Sequence, residues 1–265
     1  EVATQVSQIE NMISAGVNVL VIAAIDGKTL TQVLGTAKDA GIKVIAYDRL
    51  IMDTDAVNYY CTFDNYMVGT IQGQYIKDQL KLDEGGKYNM EITAGDPADN
   101  NALYFYQGAI DVLQPYIDSG VITVVSGQVK FDAVATPAWS TETSQARMEA
   151  ILASFYADGT QLDACLCSND STAKGVTNAL ASSYTGKYPI VTGQDCDIVN
   201  TKDIIAGKQS MSIFKDTRTL AAQTVAMASD ILAGKEPQVN DTKSYDNGTG
   251  IIPTFLCAPV FADIN

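Results

Sequence analysis

The sequence predicts an α/β chain whose parallel sheets carry helices on both faces, and three observations predict it. Short β-branched runs alternate with longer stretches of helical period, and that alternation builds parallel sheets with both faces covered. Several helical stretches end at a glycine that leads straight into a strand, as in DAGIKVIAY (39–47) and DSGVITVV (118–125). Glycine past the last helical turn takes the left-handed cap conformation, so the next strand starts at once. Polar residues collect where the strands end, which is where ligands bind in sheets of this kind.

The chain opens directly in a helical pattern, VATQVSQIENMISAG, with no strand before it. A doubly wound domain starts with a strand–helix unit, so a first unit is expected to lie outside this chain. Strands are then expected at 18–24 (NVLVIAA), 42–47 (IKVIAY), 57–62, 88–93, 121–125, 162–167, 188–192 and 210–214. Helices are expected between them at 28–40, 65–80, 100–117, 140–156, 171–183, 197–206 and 217–234. KFDAVATPAW (130–139) reads as strand and loop. The chain stops after LCAPVFADIN without a closing helix, and a fragment of a longer protein is expected.

Composition bounds the function. With 265 residues, 46% of them hydrophobic, the chain can bury a sizeable core, and one or two domains are expected. Its net charge of −14 argues against nucleic acid and anionic membranes, both of which need clustered Lys and Arg. The chain has no histidine, which removes Ser-His-Asp and Cys-His catalysis and the commonest metal ligand. No catalysis, cofactor or metal is expected. The five cysteines Cys61, Cys165, Cys167, Cys196 and Cys257 make no zinc spacing. All but Cys196 lie in apolar strand-like runs, where a buried thiol is the ordinary reading. No apolar run approaches the ~18 residues of a membrane span.

Five strand ends carry the chemistry. IKVIAY is followed by Asp48 and Arg49, and NMEIT leads into Gly95 to Asn101, which includes Asp99 and Asn101. DACLC is followed by Ser168-Asn169-Asp170, YPIVT by Gly193-Gln194-Asp195, and MSIF by Lys215-Asp216. For Asp170 and Asp216 a helix N-cap is an equal reading, because Asp belongs there. A sugar is a neutral ring edged with hydroxyls, each both donor and acceptor, so Asp, Asn and Arg are its best partners. Asp48, Arg49, Asp99, Asn101, Asn169, Asp195 and Lys215 match that need. A sugar also has an apolar face that stacks on an aromatic ring. Trp139, the single tryptophan, suits that role or that of an ordinary packed aromatic.

VLVIAAIDGKTL, IKVIAYDRLI, TFDNYMVG, GDPADNNA, GQDCDI and SIFKDTRTLA together resemble the type I periplasmic sugar-binding proteins, closest to the xylose-binding and multiple-monosaccharide-binding branch. The resemblance covers essentially the whole chain, with the motifs in order. It implies two Rossmann-like domains with parallel sheets and helices on both faces, joined by a three-crossing hinge. The lobes would be 1–62 with 215–250 and 63–214 with 251–265. They would close on an aldose such as xylose, glucose or galactose. By motif, Asp48, Arg49, Asp99, Asn101, Asn169, Asp195 and Lys215 become hydroxyl ligands and Trp139 the stacking ring. The implied partners are an ABC transporter permease and, in some members, a membrane sensor kinase or chemoreceptor. The implied protein is a monomer outside the cytoplasm, in the periplasm or lipid-anchored to the outer face of the cell membrane. The resemblance also implies basic ligands from an N-terminal segment that this chain does not include.

Two rival readings fit the same residues. One is the effector-binding core of a LacI-type regulator, which shares the fold. The other is a glycosidase using a carboxylate pair such as Asp96 and Asp99.

Overall fold

The computed structural model describes residues 1–264. In chain order the first elements are α1 (Val2–Ser14), β1 (Val19–Ile22), α2 (Thr31–Asp39), β2 (Lys43–Tyr47), β3 (Tyr59–Phe63), α3 (Asn65–Leu80), β4 (Tyr88–Thr93) and α4 (Asn100–Asp118). Then come β5 (Ile122–Val124), α5 (Phe131–Val134), α6 (Thr141–Phe155), β6 (Ala164–Cys167), α7 (Asp170–Ser183) and β7 (Ile190–Val191). The last are α8 (Ile198–Ile205), β8 (Met211–Phe214), α9 (Thr217–Leu232), β9 (Thr254–Cys257) and β10 (Val260–Asp263).

The chain forms two compact units. The first comprises Glu1–Asp64, Ala98–Asn101 and Asp216–Ala258; the second comprises Asn65–Pro97, Ala102–Lys215 and the segment from Pro259. The expected division at 251 falls too early. β9 pairs in parallel with β3, from Tyr60 opposite Thr254 to Phe63 opposite Cys257, so it belongs to the first unit.

In the first unit the sheet order is β1-β2-β3-β9, parallel throughout. Ile45, Cys61, Phe63 and Cys257 share one cluster with Leu220 and Met227 of α9. The alternate residues Val44, Ala46 and Tyr60 are equally buried. A strand buried on both faces loses its polar alternation, which is why these segments read as continuous apolar runs.

The second unit holds the parallel sheet β5-β4-β6-β7. β6 shows how period two sorts its side chains. Ala164 and Leu166 join Ile76 of α3 and Leu113 of α4, while Cys165 and Cys167 join Met148 of α6 and Val176 of α7. A second feature is antiparallel: β10 pairs with β8, Val260 opposite Phe214.

The glycine stops behave as the sequence suggests, with Gly41 at φ 74 and Gly120 at φ 69. The segment before Trp139 differs. Phe131–Val134 is a single helical turn and Pro137–Trp139 a 3-10 turn. Pro137 lacks the N–H that a ladder needs, and no strand of the sheet pairs there. Burial raises the Cys61 thiol to about 11 and pushes Cys165 well above its ordinary value, so these thiols stay protonated core groups. Among the described residues no helix is long and apolar enough to cross a membrane.

Candidate functional site

In the first unit four of the expected residues meet at the end of β2. Asp48 sits at φ 64, a left-handed conformation that costs a non-glycine residue roughly 1 kcal/mol or more. The surroundings fix it there. The Asp48 carbonyl accepts from the Tyr60 hydroxyl at 2.7 Å, Thr62 Oγ1 at 2.9 Å and Asn101 Nδ2 at 2.8 Å. Its N–H donates to the Cys61 carbonyl at 2.9 Å. The Tyr60 hydroxyl also lies 3.0 Å from Asn101 Oδ1. Burial holds the Tyr60 phenol well above its ordinary pKa, so it remains a donor.

Arg49 is aimed from both sides. Its Nη1 donates to the Ile25 carbonyl at 2.8 Å, and its Nε lies 3.1 Å from Asp99 Oδ2. The other oxygen of Asp99 accepts from the Asn101 N–H at 3.0 Å. Asp99 is 6% exposed, and a buried carboxylate persists only when paired and hydrogen-bonded. Both its oxygens are therefore engaged within the unit.

In the second unit Trp139 follows Ala138, and both have positive φ, 54 and 55. The outer corner of the indole ring presses against Gly95: a Cβ there would meet Trp139 Cη2 at 1.9 Å and Cζ3 at 2.1 Å. Glycine is required at that position by contact rather than by its own backbone angle. The Phe105 ring stands 6.3 Å from the indole at 57°, and the Lys215 ammonium lies 5.5 Å from the centre of the Phe105 ring. Lys215 Nζ is 3.2 Å from Asp195 Oδ1. Asp195 at φ 100 and Cys196 at φ 53 are again left-handed, held by Asp195 N–H to Ile213 carbonyl at 2.8 Å and Cys196 N–H to Ser212 Oγ at 3.1 Å. Backbone strain of this kind gathers where a side chain must be aimed.

Asn169 is used differently. Its Oδ1 accepts from the Thr172 N–H at 2.9 Å and caps α7, with the Thr172 hydroxyl completing a capping box. Its side-chain amide is left to donate. Asp170 is the first residue of that helix, not its cap. It is fully buried and accepts from Gln209 Nε2, Ser212 Oγ and the Asp197 N–H. Burial raises its carboxyl to about 6, against the pull of those bonds. Asp216 is a cap, accepting from the Arg218 N–H at 3.0 Å.

Sequence reasoning missed Tyr60 and Phe105. Tyr60 reads as one residue of an apolar strand and Phe105 as part of the aromatic run LYFY in a helix. Only their neighbours in space mark them.

The chain matches the family model of the periplasmic binding protein domain over residues 1–236. It belongs to the periplasmic binding protein family. It is 50% identical over 268 residues to the multiple sugar-binding periplasmic receptor ChvE of Rhizobium radiobacter, covering 99% of this chain and 75% of that protein. It is 38% identical over 262 residues to the D-xylose-binding periplasmic protein of Escherichia coli, covering 99% and 74%. Among solved structures, an ABC transporter solute-binding protein of Clostridium phytofermentans with bound β-D-glucose superposes with a TM-score of 0.97. That protein is 67% identical, over 99% of this chain and 82% of that one. This periplasmic binding protein therefore has type I relatives in both sequence and structure, and the α/β reading with parallel sheets stands.

Proposed function

We propose that this chain captures one monosaccharide outside the cytoplasm and delivers it to an ABC transporter, without chemical change to the sugar. The observation that carries the reading is the state of the polar groups. In each unit a cation is paired with a carboxylate at strand ends, Arg49 with Asp99 and Lys215 with Asp195. The second unit adds an indole packed directly against a glycine. Pre-oriented Asp, Asn and Arg beside an aromatic face are what a neutral polyhydroxylated ring requires. Closure of two lobes on the ligand, as the resemblance implies, would then select the closed state.

The ligand class is a neutral aldose, with D-glucose, D-xylose and D-galactose as the first candidates. The curated relatives bear names of sugar receptors, and the C. phytofermentans relative holds β-D-glucose. The regulator alternative has no support among them. Because each named cation already faces a carboxylate, a sugar acid or sugar phosphate brings like charge against Asp99 or Asp195. Glucuronate and glucose 6-phosphate should bind at least about a hundredfold more weakly than glucose.

Calorimetric titration of the aldose panel tests the reading. One or more aldoses should bind at micromolar or lower Kd, and Arg49→Ala should weaken that binding at least about tenfold with the fold retained. Failure of every aldose to bind, or an affinity unchanged in Arg49→Ala, overturns the assignment. A carrier permease, a sensor kinase or chemoreceptor partner, and the monomeric state belong to the same reading.

A further inference from the structure

We propose that Phe105 is a positioning residue of this site: its ring fixes the Lys215 ammonium and the Trp139 indole relative to one another. The inference rests on the sugar-binding reading. Phe105 lies in the first turns of α4 and is 3% exposed, within a cluster of Val68, Met211 and Ile213 against which Trp139 packs.

A core phenylalanine needs only apolar neighbours, and this one has two others. The Lys215 ammonium stands 5.5 Å from its ring centre, within cation–π range. The Trp139 ring stands 6.3 Å away at 57°, a tilted aromatic geometry with its own preferred angle. Lys215 has four rotatable carbons; Asp195 at 3.2 Å restrains its tip, and the face of Phe105 adds a second restraint from another direction. The backbone of α4 cannot drift, because Gly69 of α3 faces it so closely that a Cβ would meet the Phe105 carbonyl at 1.9 Å. Phe105 is thus a rigidly mounted ring that two proposed ligand contacts share.

The test uses graded fluorination, which strips the negative ring face while keeping shape. Site-specific 4-fluoro- and 3,4,5-trifluorophenylalanine at position 105, with Phe105→Leu as the full deletion, are titrated with D-glucose by calorimetry. The fluorescence of the single tryptophan reports Trp139 alone. Expected is a stepwise loss of affinity reaching about five- to tenfold in Phe105→Leu, with a shifted Trp139 emission in the free protein. In a Lys215→Met background the fluorination series should become flat.

A purely structural phenylalanine would lower the melting temperature while leaving Kd and Trp139 emission unchanged, and that result overturns the proposal. So does an undiminished fluorination effect in Lys215→Met. Should Phe105→Leu fail to fold, the fluorinated series alone decides. Unmodified protein that binds no aldose defeats the sugar reading itself, and is distinguishable because it appears before any substitution.

Discussion

Asp48 shows how a single residue can hold a strained backbone and still present the carboxylate that the proposed function requires. Its positive φ, 64, is tolerable because three donors and one acceptor hold its peptide groups. Among the described residues no hydrogen bond or ion pair is made by its carboxylate, which leaves it for a ligand's hydroxyls. Asp48→Asn should therefore fold normally, since Asn tolerates the left-handed region well. It should lose about tenfold in aldose affinity, as an amide accepts with one oxygen where a carboxylate accepts with two. Titration beside a thermal melt separates the two effects. Asp170 carries the pH dependence. Its folded pKa, pushed up to about 6 by burial, stands above the ordinary aspartate value of 3.8. The folded state thus binds the proton more tightly, so the stabilisation is complete below about pH 4. It is withdrawn as pH rises through about 6, a change of about 3 kcal/mol at most. Urea midpoints of wild type and Asp170→Asn across pH 4 to 7.5 should converge or cross in that direction. A difference independent of pH would refute it. The strand-end motifs exposed Asp48, Arg49, Asp99, Asn101, Asp195 and Lys215 to sequence reasoning because polar residues break apolar runs. Tyr60 and Phe105 escaped because nothing local distinguishes them from core.

At the scale of elements, helix contact is governed by missing side chains. A Cβ on Gly69 would meet the Phe105 carbonyl at 1.9 Å, and one on Gly108 would meet the Tyr66 carbonyl at 2.1 Å. α3 and α4 therefore pack backbone to backbone. Gly69→Ala must push them apart and should cost about 2–3 kcal/mol. Gly35 in α2 has open space around it and an ordinary φ, so Gly35→Ala should add about 0.5–1 kcal/mol. Chemical denaturation of both variants gives opposite signs if the contacts decide. Most strands and helices were legible from period and glycine stops, with α3 spanning Asn65–Leu80 as expected. β9 and β10 were not among the expected strands, although the run around Cys257 read as strand-like. Their sequence, TFLCAPVFAD, is short and interrupted by Pro259, and their strand character comes from the partners they find, β3 and β8.

At the scale of the whole molecule, the chain divides into two units, and the proposed ligand residues are divided between them. Asp48, Arg49, Asp99 and Asn101 belong to the first, and Trp139, Asn169, Asp195 and Lys215 to the second. A sugar that uses both sets should stabilise the protein by about 2.7 kcal/mol at a hundredfold excess over Kd. Arg49→Ala in one unit and Lys215→Met in the other should each remove most of that gain at the same sugar concentration. Scanning calorimetry in which one of them keeps the full shift would assign the sugar to a single unit. By itself the sequence determined the α/β alternation, the sites of helix termination and the strand ends where polar groups gather. These follow from local periodicity and from the conformations that glycine, proline and aspartate permit. Only the tertiary structure decided that Asn169 spends its oxygen on a helix cap, that Arg49 is aimed by Asp99 and the Ile25 carbonyl, that β9 belongs with the first unit, and that Phe105 underlies Lys215. Those facts depend on which distant segments come within hydrogen-bond or ring-contact distance, and chain-local preferences do not encode that.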